Sequence, residues 1–173
     1  MLPHPFVAQD RLVQGVSGRV LVIGQYKPAR DLDLMSIIGP QLLTAGFEPR
    51  VTGRGWPALD GWTVVDAFLS AEDFKRELSS ALCVVIPYRF YFQSGVAVQA
   101  LELGVPVVGY PTDFLKSLVG EDYPGLVRGE DAGAWVSAVE ACQGVSANDA
   151  GRIASKVSQS WRDWESRGRG RAA

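Results

Sequence analysis

Short apolar runs alternate with longer amphipathic segments along this chain, a pattern that predicts strands alternating with helices. The runs at 19–24 and 83–86, and the end of the segment 90–109 after Pro106, are too short for helices and are typical of buried strands. A helix is predicted to begin near Asp31, where apolar residues recur at helical spacing. Its apolar stripe comprises Leu34, Ile37, Ile38 and Leu42. The alternation favours an α/β fold in which helices cover both faces of a mostly parallel sheet.

The second half of the chain continues the same pattern. It predicts a short helix at 112–119, a last short strand at 125–128 and a helix at 131–142. A final amphipathic helix is predicted around residues 147–165, with Ile153, Val157, Trp161 and Trp164 at its apolar positions.

We therefore expect a Rossmann-like, three-layer domain with a mostly parallel sheet of about six strands. This domain covers residues 19–145 and follows a linker or strap at 1–18. The amphipathic helix at 146–166 and a disordered tail at 167–173 complete the expected organisation.

A Ser-Gly pair at positions 94 and 95 follows the strand at 83–86 and opens a helix that Gly104 ends. The start of a helix presents free N–H groups and the positive end of the helix dipole, which favour an anion. The sequence thus predicts a phosphate site at the main-chain N–H groups of Gly95 and Val96. Taken alone, Ser94 and Gly95 fit an ordinary loop and helix cap equally well.

The block at 90–109 resembles the donor site of nucleotide-sugar glycosyltransferases with the GT-B fold, especially the retaining family four. Gln99-Ala100 stands where that family has Glu-Ala, and Gly104-Val-Pro-Val-Val108 matches its Gly-x-Pro-Val-Val. Upstream, the family has a strand, then Gly-Arg-x-x-x-x-Lys-Gly, then a helix. In this register Gln25 replaces the arginine, Arg30 replaces the lysine, and Lys27 is an additional cation.

The resemblance implies roles for these residues. Arg30 would be the main diphosphate ligand, because a guanidinium fork matches phosphate oxygens. Gln99 would hydrogen-bond the ribose hydroxyls, and the backbone at Ala67 and Phe68 would face the nucleotide base. Without the resemblance, Lys27 and Arg30 would be solvated loop charges, and core packing explains Phe68 equally well.

The sequence departs from the family at two glutamates, which fall on Tyr91 and Gln99. Neither residue is acidic, so retention of the anomeric configuration stays open and no catalytic residue is assigned. Glu102 is another nearby carboxylate, but it lies about 60 degrees around the helix from Gln99 and is expected to be solvated.

His4 lies between two prolines, which favour an extended linker. Similar Pro-His-Pro sequences occur at the interdomain hinge of the resembled enzymes. The resemblance therefore implies a carboxyl-terminal domain, whose activity requires an absent N-terminal acceptor domain.

The composition and charge argue against several classes of protein and site. With 47% hydrophobic and 21% charged residues, the chain is typical of globular proteins. A net charge of −2 argues against a nucleic-acid surface, and the basic segment at 167–171 is interpreted as a frayed terminus. Cys83 and Cys142 belong to no CxxC motif, so neither a disulfide framework nor a zinc site is expected and a cytoplasmic location fits. No transmembrane segment or signal peptide is predicted.

The predicted function is nucleotide-sugar binding in a hexosyltransferase-like enzyme that transfers a sugar to an acceptor. Such an enzyme needs no cofactor or obligatory metal, because arginine and helix N–H groups neutralise the departing diphosphate. Two alternatives remain open, a non-catalytic nucleotide-binding or assembly module and another Rossmann-like enzyme such as an epimerase or a flavodoxin-like protein.

Overall fold

The computed structural model describes residues 6–10, 18–88, 93–129 and 131–145. It also describes the single positions Arg152, Lys156, Gln159, Arg162, Asp163 and Ser166. The predictions made for His4, Tyr91, the apolar positions of the final helix and the basic segment lie outside the described residues.

The centre of the fold is a parallel sheet with the strand order β3-β2-β1-β4-β5. Its strands are β1 Arg19–Ile23, β2 Glu48–Thr52, β3 Thr63–Val65, β4 Cys83–Ile86 and β5 Val107–Gly109. The strand predicted at 125–128 is reduced to one parallel bridge between Leu126 and Gly109. Only two backbone bonds support that bridge, from Gly109 N to Gly125 O and from Val127 N to Gly109 O.

The helices are α1 Leu32–Thr44, α2 Ala71–Ser80, α3 Gly95–Glu102, α4 Asp113–Val119 and α5 Ala132–Ala141, and the 3₁₀ helix Cys142–Gly144 follows α5. Each α-helix begins after a residue whose side-chain oxygen accepts a bond from the backbone of the first turn, which explains where it starts. These caps are Asp31, Ser70, Ser94, Thr112 and Asp131. Within the described ranges, none of these helices combines the length and hydropathy needed to cross a membrane.

Side chains of the central strands alternate between two apolar cores, one on each face of the sheet. Leu21 and Ile23 enter the core beneath α3 and α4. Val20 and Val22 enter the core beneath α1 and α5. Burial on both faces explains why the strands read as continuous apolar runs and confirms the predicted three-layer fold.

The prediction for Ile37 is wrong, because this side chain is 56% exposed. Met35 is fully buried together with Ile38 and Leu42, at the spacing i, i+3, i+7. On a helix, Ile37 lies about 200 degrees from Met35 and therefore faces away from the sheet.

The N-terminal segment, residues 6–10, packs against helices α2 and α3. Phe6 is buried in the core, which brings the following backbone to the end of α3. There Glu102 accepts a bond from Val7 N at 2.9 Å through its carboxylate and one from Gln9 N at 2.6 Å through its carbonyl. Lys75 Nζ donates to Gln9 Oε1 at 3.2 Å. Glu102 was expected only to be solvated; it is partly exposed, and its carboxylate also holds this segment.

Gly53 and Gly24 allow the loops after β2 and β1 to approach each other. Both have positive φ angles, and a Cβ added to Gly53 would lie 2.1 Å from the carbonyl oxygen of Gly24. No side chain fits that space.

We expect Gly53→Ala to lower the free energy of unfolding by about 2 to 5 kcal/mol, because it adds an overpacked methyl group to a strained backbone. Gly55 is a matched control, since it also has a positive φ but has open space around its Cβ position. Gly55→Ala should lower the free energy of unfolding by only about 1 kcal/mol. Urea unfolding measures both changes. Equal losses in the two variants would mean that the loops do not make this contact.

Candidate functional site

The candidate site lies at the carboxyl edge of the sheet, where all the parallel strands end. Adjacent strands β1 and β4 connect to helices on opposite faces, since α1 covers one core and α3 covers the other. Such a switch point leaves a crevice between the two loops, and open α/β sheets bind ligands there.

Backbone hydrogen bonds join three loops around this switch point. Asp31 N donates to Pro87 O at 3.0 Å, which ties the loop after β1 to the loop after β4. Gly24 N donates to Thr52 O, and Tyr26 N donates to Arg54 O, each at 2.9 Å. The loop after β1 is therefore held on both sides.

Arg30 is buried between these loops, with 7% of its surface exposed. Its guanidinium carbon lies 4.7 Å from the ring centroid of Trp56 and 5.1 Å from that of Tyr88, and we call this ring pair the aromatic clamp. Nη2 donates to the Ile23 carbonyl at 3.1 Å, whereas Nε is buried without a hydrogen-bond partner. No carboxylate in the described part of the chain forms an ion pair with Arg30.

Burial lowers the pKa of Arg30, and the nearby Tyr88 opposes that effect. An arginine nevertheless stays protonated in proteins, so the crevice contains a fixed positive charge. Burial also raises the pKa of Tyr88, although Arg30 opposes it, and the phenol therefore stays neutral at physiological pH. The site holds a cation that contacts two neutral rings.

The aromatic clamp is positioned by its own contacts. The indole Nε1 of Trp56 donates to the Gly24 carbonyl at 2.8 Å, and the ring of Tyr26 packs edge-on against it at 5.5 Å. Neither Trp56 nor Tyr88 was identified as a site residue from the sequence. The available signal was the position of Tyr88, which closely follows the strand predicted at 83–86, whereas Trp56 follows β2.

The first turn of α3 opens at the same edge. Ser94 Oγ accepts a bond from Ala97 N at 3.2 Å, which confirms the predicted cap. Gly95 is exposed, has no positive φ, and has open space around its Cβ position. Val96 and Gln99 follow it and are partly exposed.

The remaining predicted residues lie along the same edge. Gln25 and Lys27 are exposed in the loop that carries Arg30. Ala67 is partly buried after β3, and the neighbouring Phe68 is 81% exposed. Core packing of Phe68 is therefore wrong, and its ring is available at the surface. In the described ranges, no group of three His, Cys, Asp or Glu residues is placed to hold a metal ion.

No family model and no curated protein matches this sequence. Its structure is similar to that of TarM, with a TM-score of 0.68 and 11% identity over 95% of this chain and 37% of TarM. A mutant of S. aureus TarM in complex with fondaparinux, alpha-GlcNAc-glycerol and UDP gives a TM-score of 0.64 and 9% identity over 91% of this chain and 37% of that one. AviGT4, a glycosyltransferase involved in avilamycin A biosynthesis, gives 0.66 and 19% identity over 99% of this chain and 58% of AviGT4.

These similarities confirm the predicted fold class, a Rossmann-like α/β fold like that of a GT-B glycosyltransferase domain. This chain spans between 37% and 58% of the length of these neighbours.

We expect Phe68→Ala to change the free energy of unfolding by less than about 0.5 kcal/mol, because so exposed a ring loses little contact. The control Phe47→Ala removes a ring that is 5% exposed and should cost about 3 to 5 kcal/mol. Urea unfolding measures both changes. A large loss for Phe68→Ala would show that the ring is packed into the protein.

Proposed function

We propose that this chain binds a nucleotide diphosphate sugar and forms the donor-binding domain of a glycosyltransferase. The observation that carries this proposal is the buried charge of Arg30 at the switch point of the sheet, which pairs with no carboxylate of the described residues. A buried cation is costly unless an opposite charge compensates it. A diphosphate supplies that charge, and its oxygens match the donor fork of a guanidinium.

In this proposal, the start of α3 contributes to the same diphosphate site. The N–H groups of Gly95 and Val96 belong to the first turn, whose carbonyl partners are missing, and the helix dipole favours negative charge there. Exposed Lys27 adds a second cation on the loop of Arg30. These groups would neutralise the phosphate charge directly, so the proposal includes no metal ion.

The nucleoside would extend along the carboxyl edge from the diphosphate. Gln99 lies one turn into α3 and has both donor and acceptor atoms for ribose hydroxyls. Phe68 offers an exposed ring on which a base would stack, an interaction worth about 1 to 3 kcal/mol. The TarM mutant in complex with UDP makes UDP the first nucleotide to test.

Sugar transfer also needs an acceptor site, and we propose that an additional, N-terminal domain provides it. The neighbours support this arrangement, because each is considerably longer than this chain. We assign no catalytic residue to the described part of the chain. Activity would therefore require the two domains together.

We expect Arg30→Met to weaken UDP binding about ten- to a hundredfold and to leave uridine binding nearly unchanged, because one charge-assisted contact contributes about 1.5 to 3 kcal/mol. Methionine fills much of the space between the rings, and thermal unfolding checks the fold. Calorimetric titration measures both ligands. The control Lys27→Met removes an exposed cation and should change UDP affinity less than about threefold.

Two results would contradict the proposal. If none of UDP, GDP and ADP binds the wild-type protein at millimolar concentration, the proposed donor site is wrong. Equal, small effects of Arg30→Met and Lys27→Met would show that their loop does not face the ligand.

We expect Gly95→Val to abolish UDP binding while the protein stays folded, because the new side chain covers the N–H groups of the first turn of α3. The backbone tolerates this change, since Gly95 has no positive φ and no described residue lies within 4 Å of its Cβ position. Gly144→Val is a matched control, because Gly144 has equally open space but lies after α5. Unchanged UDP affinity in Gly95→Val would rule out the phosphate site at α3.

A further inference from the structure

We infer that Trp56 and Tyr88 are positioning residues, whose ring faces stabilise the buried charge of Arg30 and leave its in-plane donors open for the anionic part of a ligand. This inference rests on the proposed function, since it concerns the same diphosphate site. It assigns a role to two residues for which the donor-site motifs give none.

A buried guanidinium can be stabilised by a carboxylate or by an aromatic face. A carboxylate would neutralise the charge and occupy the in-plane N–H groups, so an anionic ligand would have to displace it. An aromatic face attracts the cation through its quadrupole and leaves the in-plane donors unoccupied. Arg30 has the second arrangement, with ring centroids at 4.7 Å and 5.1 Å from its guanidinium carbon.

The hydrogen bonding of Arg30 is incomplete within the described part of the chain. One of its donors, Nη2, bonds the Ile23 carbonyl. The residue is 7% exposed, and its Nε is buried without a hydrogen-bond partner. A native protein rarely leaves a buried donor unsatisfied. The guanidinium therefore has unused donor capacity that the described residues do not take up.

Backbone hydrogen bonds fix the position of the aromatic clamp. Trp56 is bonded to Gly24 O at 2.8 Å. Tyr88 directly follows Pro87, whose carbonyl accepts the N–H of Asp31, the neighbour of Arg30. A Cβ on Gly24 would lie 3.3 Å from Arg30 Nη2, so a glycine at this position leaves room for the guanidinium. Ring and cation positions are thus set by the same three loops.

A double-mutant cycle on UDP binding tests the inference. Trp56→Leu should weaken UDP binding about three- to thirtyfold and leave uridine binding unchanged. In an Arg30→Met background, the same substitution should cause no additional loss, because Trp56 acts only through the cation. Trp56→Phe keeps a ring face and should stay within about threefold of the wild type, although it loses the bond to Gly24.

Tyr88→Leu and Tyr88→Phe repeat the comparison at a partly buried position, and they keep the test available if Trp56→Leu does not fold. Thermal unfolding of every variant checks the fold. The inference is overturned if the Leu variants weaken the binding of UDP and of uridine alike, or if their loss of UDP affinity adds fully to that of Arg30→Met. The proposed function would stand in either case. If wild-type protein does not bind UDP, both are overturned.

Discussion

The burial of one positive charge organises the carboxyl edge of this protein. The guanidinium of Arg30 bonds the last residue of β1, contacts a ring from the loop after β2 and contacts another from the loop after β4. Gly24 and Gly53 permit the close approach of backbone that this arrangement requires. Since a buried charge without a carboxylate partner is unfavourable by itself, the fold sustains it through aromatic faces and one carbonyl, and a ligand anion would complete it.

Local rules were sufficient to predict most of the elements. Asp31, Ser94 and the apolar run at 83–86 identify helix starts and a buried strand through interactions within a few residues of each other. The predictions were wrong or incomplete where packing decides the outcome. Ile37 has the spacing of a core residue, but helix α1 turns Met35 toward the sheet, and Ile37 therefore faces away from it. Glu102 is held by a segment more than ninety positions earlier in the chain, which no local pattern indicates.

The candidate site was likewise predictable from local rules only in part. Alternation of strands and helices is enough to bring the loop of Arg30 and the start of α3 to one edge, because parallel strands all end there. The aromatic clamp was not predictable in this way. Residues 30, 56 and 88 meet only because β1 lies between β2 and β4, and strand order is a property of the whole sheet. The solvent exposure of Phe68 likewise depends on which other parts of the chain pack against its ring.

The attachment of the N-terminal segment has a practical consequence for handling the protein. Helix α3 runs antiparallel to the strands, so its last residue, Glu102, lies at the opposite end of the domain from Gly95. Eight helical residues separate the two ends by about 12 Å. Because Val7 and Gln9 are hydrogen-bonded to Glu102, residues 7–9 lie on the far side of the domain from the crevice. A surface tether attached at these residues would therefore keep the carboxyl edge facing the solution.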